Sequence, residues 1–171
     1  MPYRYRGGGC LELIPLILSV TLLHPDKRQR DALLNMMFNL IKKPTAEQRQ
    51  VILTGCVAFA RAAGSMKVET ELLPQCWEQI NHKYAERRLL VAETCGALAR
   101  YLHPNVISSL VLSMLNQVCL EDKTESVREA AVRSLAVASV YIEDADKFQQ
   151  VSENHLNRAQ NFDIASSLPR T

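Results

Sequence analysis

The sequence has little excess of charge of either sign. Its 20 lysines and arginines are balanced by 18 aspartates and glutamates, which leaves a formal net charge of +2 at pH 7. Because 47% of the residues are hydrophobic, this composition argues against disorder and against binding to nucleic acid or another polyanion. The 171 residues provide enough mass for one domain with its own core.

Cysteine pairs of the kind that staple domains or bind zinc are missing. The five cysteines are odd in number and form no CxxC pair; they are Cys10, Cys56, Cys76, Cys95 and Cys119. This pattern argues against a disulfide framework or a zinc knuckle, and it indicates a reducing compartment. Cys56, Cys76 and Cys95 lie on apolar stripes, where packing is the expected role.

No motif for catalysis or cofactor binding occurs. The sequence has no Gly-rich phosphate loop, nucleophile elbow or HExxH pattern, and the glycines at 7–9 are not followed by the Lys-Ser/Thr pair that phosphate binding requires. The four histidines have no evident partner for a metal site. We therefore expect no enzymatic activity and no catalytic, cofactor-binding or metal-binding residues.

A long hydrophobic run is absent as well. The apolar stretch at 11–23 is shorter than the roughly 20 residues that cross a bilayer, and Glu12 and Pro15 interrupt it. A signal peptide needs an unbroken apolar run and a small-residue cleavage site, so the stretch fits a helix that the mature protein retains. We expect this helix to pack against the one that follows it.

The chain repeats itself with a period near 39 residues. A shift of 39 places "CVAFAR" (56–61) on "CGALAR" (95–100) and "LLNMMFNLI" (33–41) on "LLPQCWEQI" (72–80). The second match pairs Trp77 with Phe38, so Trp77 is expected in the core. Apolar residues within each unit keep helical spacing, and no segment alternates as a strand would. We predict helices at 11–24, 27–42, 45–63, 66–81, 86–102, 105–120 and 125–142, and a weaker one at 144–156.

Helix pairs that repeat every 40 residues or so are typical of an all-α, right-handed superhelix of HEAT or armadillo type, here with about seven helices. "ELLPQCW" (71–77) resembles the first helix of a HEAT repeat, and "ELIPLIL" (12–18) has the same form. The repeat frame over 11–63 stays open, because 45–63 is out of phase if 11–24 is a first helix. We expect a disordered or non-native start at 1–10, a repeat domain at 11–150 and a divergent tail at 151–171.

Three longer segments of the sequence resemble a known protein family. "QVILTGCVAFARAAG", "ELLPQCWEQINHKYAERRLLVAETCGALARYL" and "SSLVLSML" resemble the C-terminal HEAT-repeat region of the RELCH family, Rab-binding proteins with LisH, coiled-coil and HEAT regions. The resemblance implies a non-enzymatic adaptor that binds a Rab GTPase and an oxysterol-binding protein. It also implies cholesterol transport between recycling endosomes and the trans-Golgi network. The chain would then be a fragment or short isoform, cytoplasmic and membrane-associated through its partners.

Arginines recur near the starts of the second helices. Of Arg49, Arg88 and Arg128, the last has an aspartate six residues earlier, Asp122, which predicts a structural ladder of Asp122 and Arg128. Arg88 has no such aspartate, so its guanidinium is expected to be available to a partner.

The surface feature that most strongly indicates a binding site is the turn at 81–88. Lys83, Tyr84, Arg87 and Arg88 are the candidate protein-binding residues, with an acidic protein surface or lipid headgroups as alternatives. The fold alone leaves another reading open, a generic HEAT scaffold of a phosphatase or nuclear-transport-like complex.

Overall fold

The computed structural model describes residues 11–142, within which seven helices follow one another and no strand occurs. They are α1 (Leu13–Leu23), α2 (Lys27–Asn39), α3 (Ala46–Ala63), α4 (Ser65–Lys67, Val68–Leu72 and Leu73–Gln79 in succession), α5 (Ala85–Leu98), α6 (Pro104–Val106, Ile107–Val111 and Leu112–Glu121) and α7 (Glu125–Ser139). The predicted all-α class is confirmed. The expectations for 1–10, for the helix at 144–156 and for the tail at 151–171 lie outside the described residues.

Polar caps and one glycine set several helix boundaries. Asp26 Oδ1 accepts a hydrogen bond from the Arg28 N–H at 2.9 Å at the start of α2. The predicted capping box opens α3: the Gln48 N–H donates to Thr45 Oγ1 at 3.3 Å, and the Thr45 N–H donates to Gln48 Oε1 at 2.9 Å. At its other end α3 stops at Gly64, whose φ of 81° favours a residue without a Cβ.

The helices form two layers. In one layer α1 packs on α3, α3 on α5, and α5 on α7. In the other, α2 packs beside α4, and α6 lies against α5 and α7. Leu34, Phe38, Leu72, Leu90 and Leu115 are among the fully buried side chains that join the layers. Each helix therefore buries its apolar stripe against neighbours in sequence, as the repeat pattern predicted.

The position of α1 settles the repeat frame. Because α1 lies in the layer of α3, α5 and α7, it corresponds to a second helix, whereas the segment 71–77 belongs to α4 in the other layer. The proposed equivalence of 12–18 with 71–77 is therefore wrong, and α2 and α3 form the first complete pair. The expectation that α1 packs against α2 is confirmed.

Trp77 is not in the core, because α2 and α4 are related by a shift of 38 residues and not 39. Trp77 is 43% exposed while Phe38, its partner under the 39-residue shift, is 1% exposed. The turn Val68–Leu72 in α4 is π-helical, but one inserted residue would lengthen the register and not shorten it. A shift of 38 instead pairs Phe38 with the fully buried Cys76. A second π-helical turn, Ile107–Val111, begins 39 residues after the first.

The odd-numbered helices approach one another closely. A Cβ on Gly96 of α5 would lie 2.6 Å from Ser134 Oγ and 3.1 Å from Ser134 Cα on α7. Cys56 and Cys95, predicted to be equivalent and buried, are both 0% exposed on α3 and α5, so that prediction is confirmed.

Candidate functional site

Three loops lie together along one side of the described chain. Consecutive helices run in opposite directions, so the connections at 40–45, 80–84 and 122–124 share one side; we call it the loop edge. The connections between α1 and α2, α3 and α4, and α5 and α6 lie on the opposite edge. All four predicted protein-binding residues are at the loop edge. Two of them, Arg87 and Arg88, are buried, whereas Lys83 and Tyr84 are accessible to solvent.

Arg88 is buried, and the expectation that it lacks an acidic partner is wrong. Its exposed fraction is 6%. Arg88 Nε donates to Asp122 Oδ2 at 2.5 Å and Nη2 to Asp122 Oδ1 at 3.0 Å, which makes a bidentate pair between α5 and the loop before α7. Nη1 donates to the His82 carbonyl at 2.7 Å, and Nη2 reaches Thr124 Oγ1 at 3.1 Å. Four of the five N–H groups of this guanidinium therefore have partners within the described residues.

Asp122 and Arg88 shift each other's ionisation. Burial by itself raises the pKa of Asp122, but hydrogen bonds from Arg88 and from the Thr124 N–H, together with the charge of Arg88, outweigh it and lower the pKa. The hydrogen bond to Asp122 raises the pKa of Arg88 against the opposing effect of burial. Both groups are therefore charged at neutral pH, and the pair is a structural element.

Arg128 does contact Asp122, but through the backbone and not through the side-chain pair predicted for the ladder. Its Nη1 donates to the backbone carbonyl of Asp122 at 2.9 Å, while the Asp122 carboxylate is occupied by Arg88. Arg88 donates in the same way to the carbonyl of His82. Arg88 and Arg128 therefore each bind a backbone carbonyl six residues earlier. The ladder thus runs from the arginine of one repeat to the acid of the next.

Two further arginines also pair with an acid of the next repeat. Arg30 forms a bidentate pair with Glu71, with Nε to Oε2 at 2.9 Å and Nη2 to Oε1 at 2.6 Å, and also donates to the His24 carbonyl. Arg49, which has no aspartate six residues earlier, donates from Nε to Glu93 Oε2 at 3.1 Å. The acids lie 34 to 44 residues downstream, so a search for acids within five residues of the 39-residue period would have found them.

Arg87 closes the end of α2. It is 3% exposed. Its Nη1 donates to the Phe38 carbonyl and, at 3.1 Å, to Asn39 Oδ1, and its Nε donates to the Lys42 carbonyl at 3.2 Å. Burial lowers the pKa of Arg87, yet arginine stays protonated at neutral pH. A cation at these carbonyls satisfies groups that the helix end leaves without partners, so Arg87 has a structural role.

Lys83 and Tyr84 remain on the surface. Lys83 is exposed and Tyr84 half-buried. The Lys83 ammonium lies 5.0 Å from the centroid of the Tyr84 ring, and Lys43, from the loop of the preceding repeat, lies 4.9 Å from the same centroid. Cation–π attraction holds both ammonium groups at one ring. Lys43 was missed because only one loop was considered.

A polar cleft of about 270 Å³ continues the loop edge beyond Tyr84. Lys83 and Lys123 line it from two successive loops, together with Gln117 and with Glu121, which forms no ion pair within residues 11–142. The Arg88–Asp122 pair forms part of its wall. Lys43, Lys83 and Lys123 follow one another at intervals of 40 residues. Among residues 11–142, none of these lysines forms an ion pair.

The described residues offer no cluster of three or more histidine, cysteine or acidic side chains that could hold a metal ion. Within the same range, no helix is both long and apolar enough to cross a membrane.

Comparison with known proteins identifies the family. The family model described as the RAB11-binding protein RELCH N-terminal domain matches residues 10–163. The chain belongs to the RELCH family. The resemblance had been expected to lie in the C-terminal repeat region, whereas the matching model is named for the N-terminal domain. No solved structure matches the chain.

Curated RELCH relatives are similar over most of this chain. The RAB11-binding protein RELCH of Mus musculus is 66% identical over 139 residues, which cover 81% of this chain and 11% of the relative. The Homo sapiens protein of that name is 65% identical over the same shares. The Danio rerio RELCH homolog is 65% identical over 81% of this chain and 12% of its own length. The chain thus spans about a tenth of the relatives that it matches.

Proposed function

We propose that this RELCH family chain is a non-enzymatic helical scaffold segment that binds proteins through its loop edge. The observation that carries this proposal is the 66% identity over 139 residues to a protein named for binding RAB11. The two-layered helix stack supports it, because successive repeats present side chains from several loops along one continuous surface. Lys83 and Tyr84 keep their proposed binding role, whereas Arg87 and Arg88 hold the loops beneath them in place.

The finer proposal concerns partners and place. We propose that the segment contributes to binding of a Rab GTPase of the RAB11 type and of an oxysterol-binding protein. The segment would thereby support cholesterol transport between recycling endosomes and the trans-Golgi network. It would act in the cytoplasm and reach membranes through these partners. The family match favours this proposal over a scaffold of a phosphatase or nuclear-transport-like complex, since the matching model and relatives are RELCH proteins.

Affinity capture tests the proposal. The immobilised chain is incubated with membrane-free cell extract, and the bound fraction is probed for oxysterol-binding protein, RAB11 and subunits of phosphatase and nuclear-transport complexes. We expect oxysterol-binding protein or RAB11 to be retained. Retention of phosphatase or transport subunits, with neither of the expected proteins, would contradict the proposal. A chain unfolded by prior heating serves as the control for non-specific capture.

A further inference from the structure

We infer that Lys43, Tyr84, Lys83 and Lys123 form one continuous docking surface for an acidic protein segment. The inference deepens the proposed scaffold function and rests on it for the class of partner. It names the surface and the chemistry that the surface recognises. Two contacts between successive repeats carry it, together with the regular spacing of the lysines.

The first contact joins the loops at 40–45 and 80–84. Lys43 and Lys83 approach the same Tyr84 ring, at 4.9 Å and 5.0 Å from its centroid. Two like charges are therefore held within about 10 Å of each other, the sum of two cation–π distances. No carboxylate of residues 11–142 forms an ion pair with either ammonium. An external anion that approaches this ring meets two cations already in position.

The second contact joins the loops at 80–84 and 122–124. Lys83 and Lys123 line the same cleft of about 270 Å³. Its charged lining comprises Lys83, Lys123 and Arg88 against Glu121 and Asp122, and Arg88 neutralises Asp122. The cleft keeps a positive excess after this pairing.

The third observation is the regular spacing of the lysines. Lys43, Lys83 and Lys123 recur every 40 residues in successive loops, and neighbouring packed helices are separated by about 8–10 Å. A polyproline II segment brings every third side chain to the same side after about 9 Å. A peptide with a carboxylate at every third position therefore matches the row.

The shape of the surface favours a protein segment over a lipid bilayer. A flat membrane contacts protruding side chains, but it cannot enter the cleft between Lys83 and Lys123. Glu121 within the cleft repels lipid phosphates as it repels any anion, and a peptide avoids it by the placement of its carboxylates.

A synthetic peptide tests the inference without any cellular partner. A fluorescein-labelled peptide of repeated Glu-Pro-Pro triplets is titrated with the whole chain at moderate salt and followed by fluorescence anisotropy. The Gln-Pro-Pro peptide is the uncharged control. We expect binding of the Glu peptide alone, and binding about tenfold or more weaker for the K43E/K83E/K123E variant, because three attractive charge contacts become repulsive.

The matched control variant is R28E/R61E/R100E. It makes the same change in net charge with exposed arginines at the opposite edge, and we expect it to bind the peptide within about twofold of wild type at moderate salt, where distant charges are screened. Circular dichroism checks the fold of both variants. If the glutamate variant unfolds, K43Q/K83Q/K123Q replaces it, with the same expected direction.

Several results would overturn the inference. One is equal weakening by both variants, which would show attraction by net charge alone. Another is no binding of the Glu peptide, and a third is binding to vesicles of one part phosphatidylserine to four parts phosphatidylcholine in place of the peptide. Because the probe is synthetic, failure here leaves the capture of oxysterol-binding protein or RAB11 unaffected, and the two failures are distinguishable.

Discussion

Arg88 and Asp122 form a bidentate ion pair across 34 residues of sequence, with Nε–Oδ2 and Nη2–Oδ1 distances of 2.5 Å and 3.0 Å. Their side chains are 7% and 4% exposed. Arg88 lies in the first turn of α5 and Asp122 precedes α7, so the pair fixes the position of one repeat on another. It also supports the loops that carry Lys83 and Lys123.

Removal of Arg88 is expected to destabilise the protein strongly. The Arg88→Ala variant leaves the Asp122 carboxylate buried without its cation, which costs about 3–5 kcal/mol in the free energy of unfolding. Urea denaturation followed by circular dichroism measures this loss. Lys27→Ala is the control, since it breaks the exposed Lys27–Asp31 pair, for which about 0–1 kcal/mol is expected. Equal losses in the two variants would show that the Arg88 pair contributes no more than a surface contact.

Stability is expected to fall at acidic pH. Hydrogen bonds from Arg30 lower the pKa of Glu71, and those from Arg88 help to lower that of Asp122 against burial. As the pH falls, Glu71 and Asp122 therefore bind protons at a higher pH in the unfolded chain than in the folded one. The stabilisation is fully present above the unfolded values of about 3.9–4.3, and it is lost as the pH falls through the lowered folded values.

Glu71→Gln together with Asp122→Asn tests this dependence. The double variant is less stable than wild type at pH 7, and its urea midpoint changes less between neutral and acidic pH. A midpoint with unchanged pH dependence would assign acid unfolding to other carboxylates.

The core thiols are expected to resist modification in the folded protein. Burial raises the pKa of Cys56 and of Cys95 to about 12, so almost no thiolate is present at pH 8. In a Cys10→Ser background, Ellman's reagent should react with these thiols only as fast as the chain unfolds. Reaction within the mixing time in buffer, with full reaction in urea as the reference, would contradict their burial.

A methyl group at Gly96 is expected to disturb the packing of α5 on α7. The added Cβ would lie 3.1 Å from Ser134 Cα, a backbone atom that cannot yield without moving a helix. We expect Gly96→Ala to cost about 1–3 kcal/mol. At Gly55 the nearest atom is the tip of the Leu18 side chain, at 2.6 Å, and this tip can rotate. Gly55→Ala should therefore cost less, and thermal denaturation of the two variants compares them.

The fold was largely predictable because each helix carries its own apolar period. The boundaries of α3, predicted at 45–63, agree with Ala46–Ala63, since both the Thr45 capping box and Gly64 are local signals. The exposure of Trp77 was predicted wrongly, because the 39-residue shift that relates α3 to α5 was applied to α2 and α4, whose buried residues match at a shift of 38. The layer of α1 was also missed, because it depends on contacts between helices and not on the form of a short motif.

The candidate site was predictable in part. The turn at 81–88 is a surface feature, but two of its four candidates are buried by partners that come from other repeats. Arg88 pairs with Asp122, and Arg87 donates to carbonyls at the end of α2. Neither contact can be predicted from the spacing of residues within the turn. Lys43 joins Tyr84 for the same reason, through the approach of two loops that are 40 residues apart.

Direct binding between purified proteins tests the central claim, that this chain is a protein-binding segment of a RELCH scaffold. Biolayer interferometry measures binding of the immobilised chain to GTP-loaded RAB11 and to oxysterol-binding protein, with a full-length RELCH relative as the reference. We predict that at least one of them binds the chain, that added salt weakens the complex, and that K43E/K83E/K123E weakens it more than R28E/R61E/R100E does. Binding of both proteins to the full-length relative and of neither to this chain would contradict the claim.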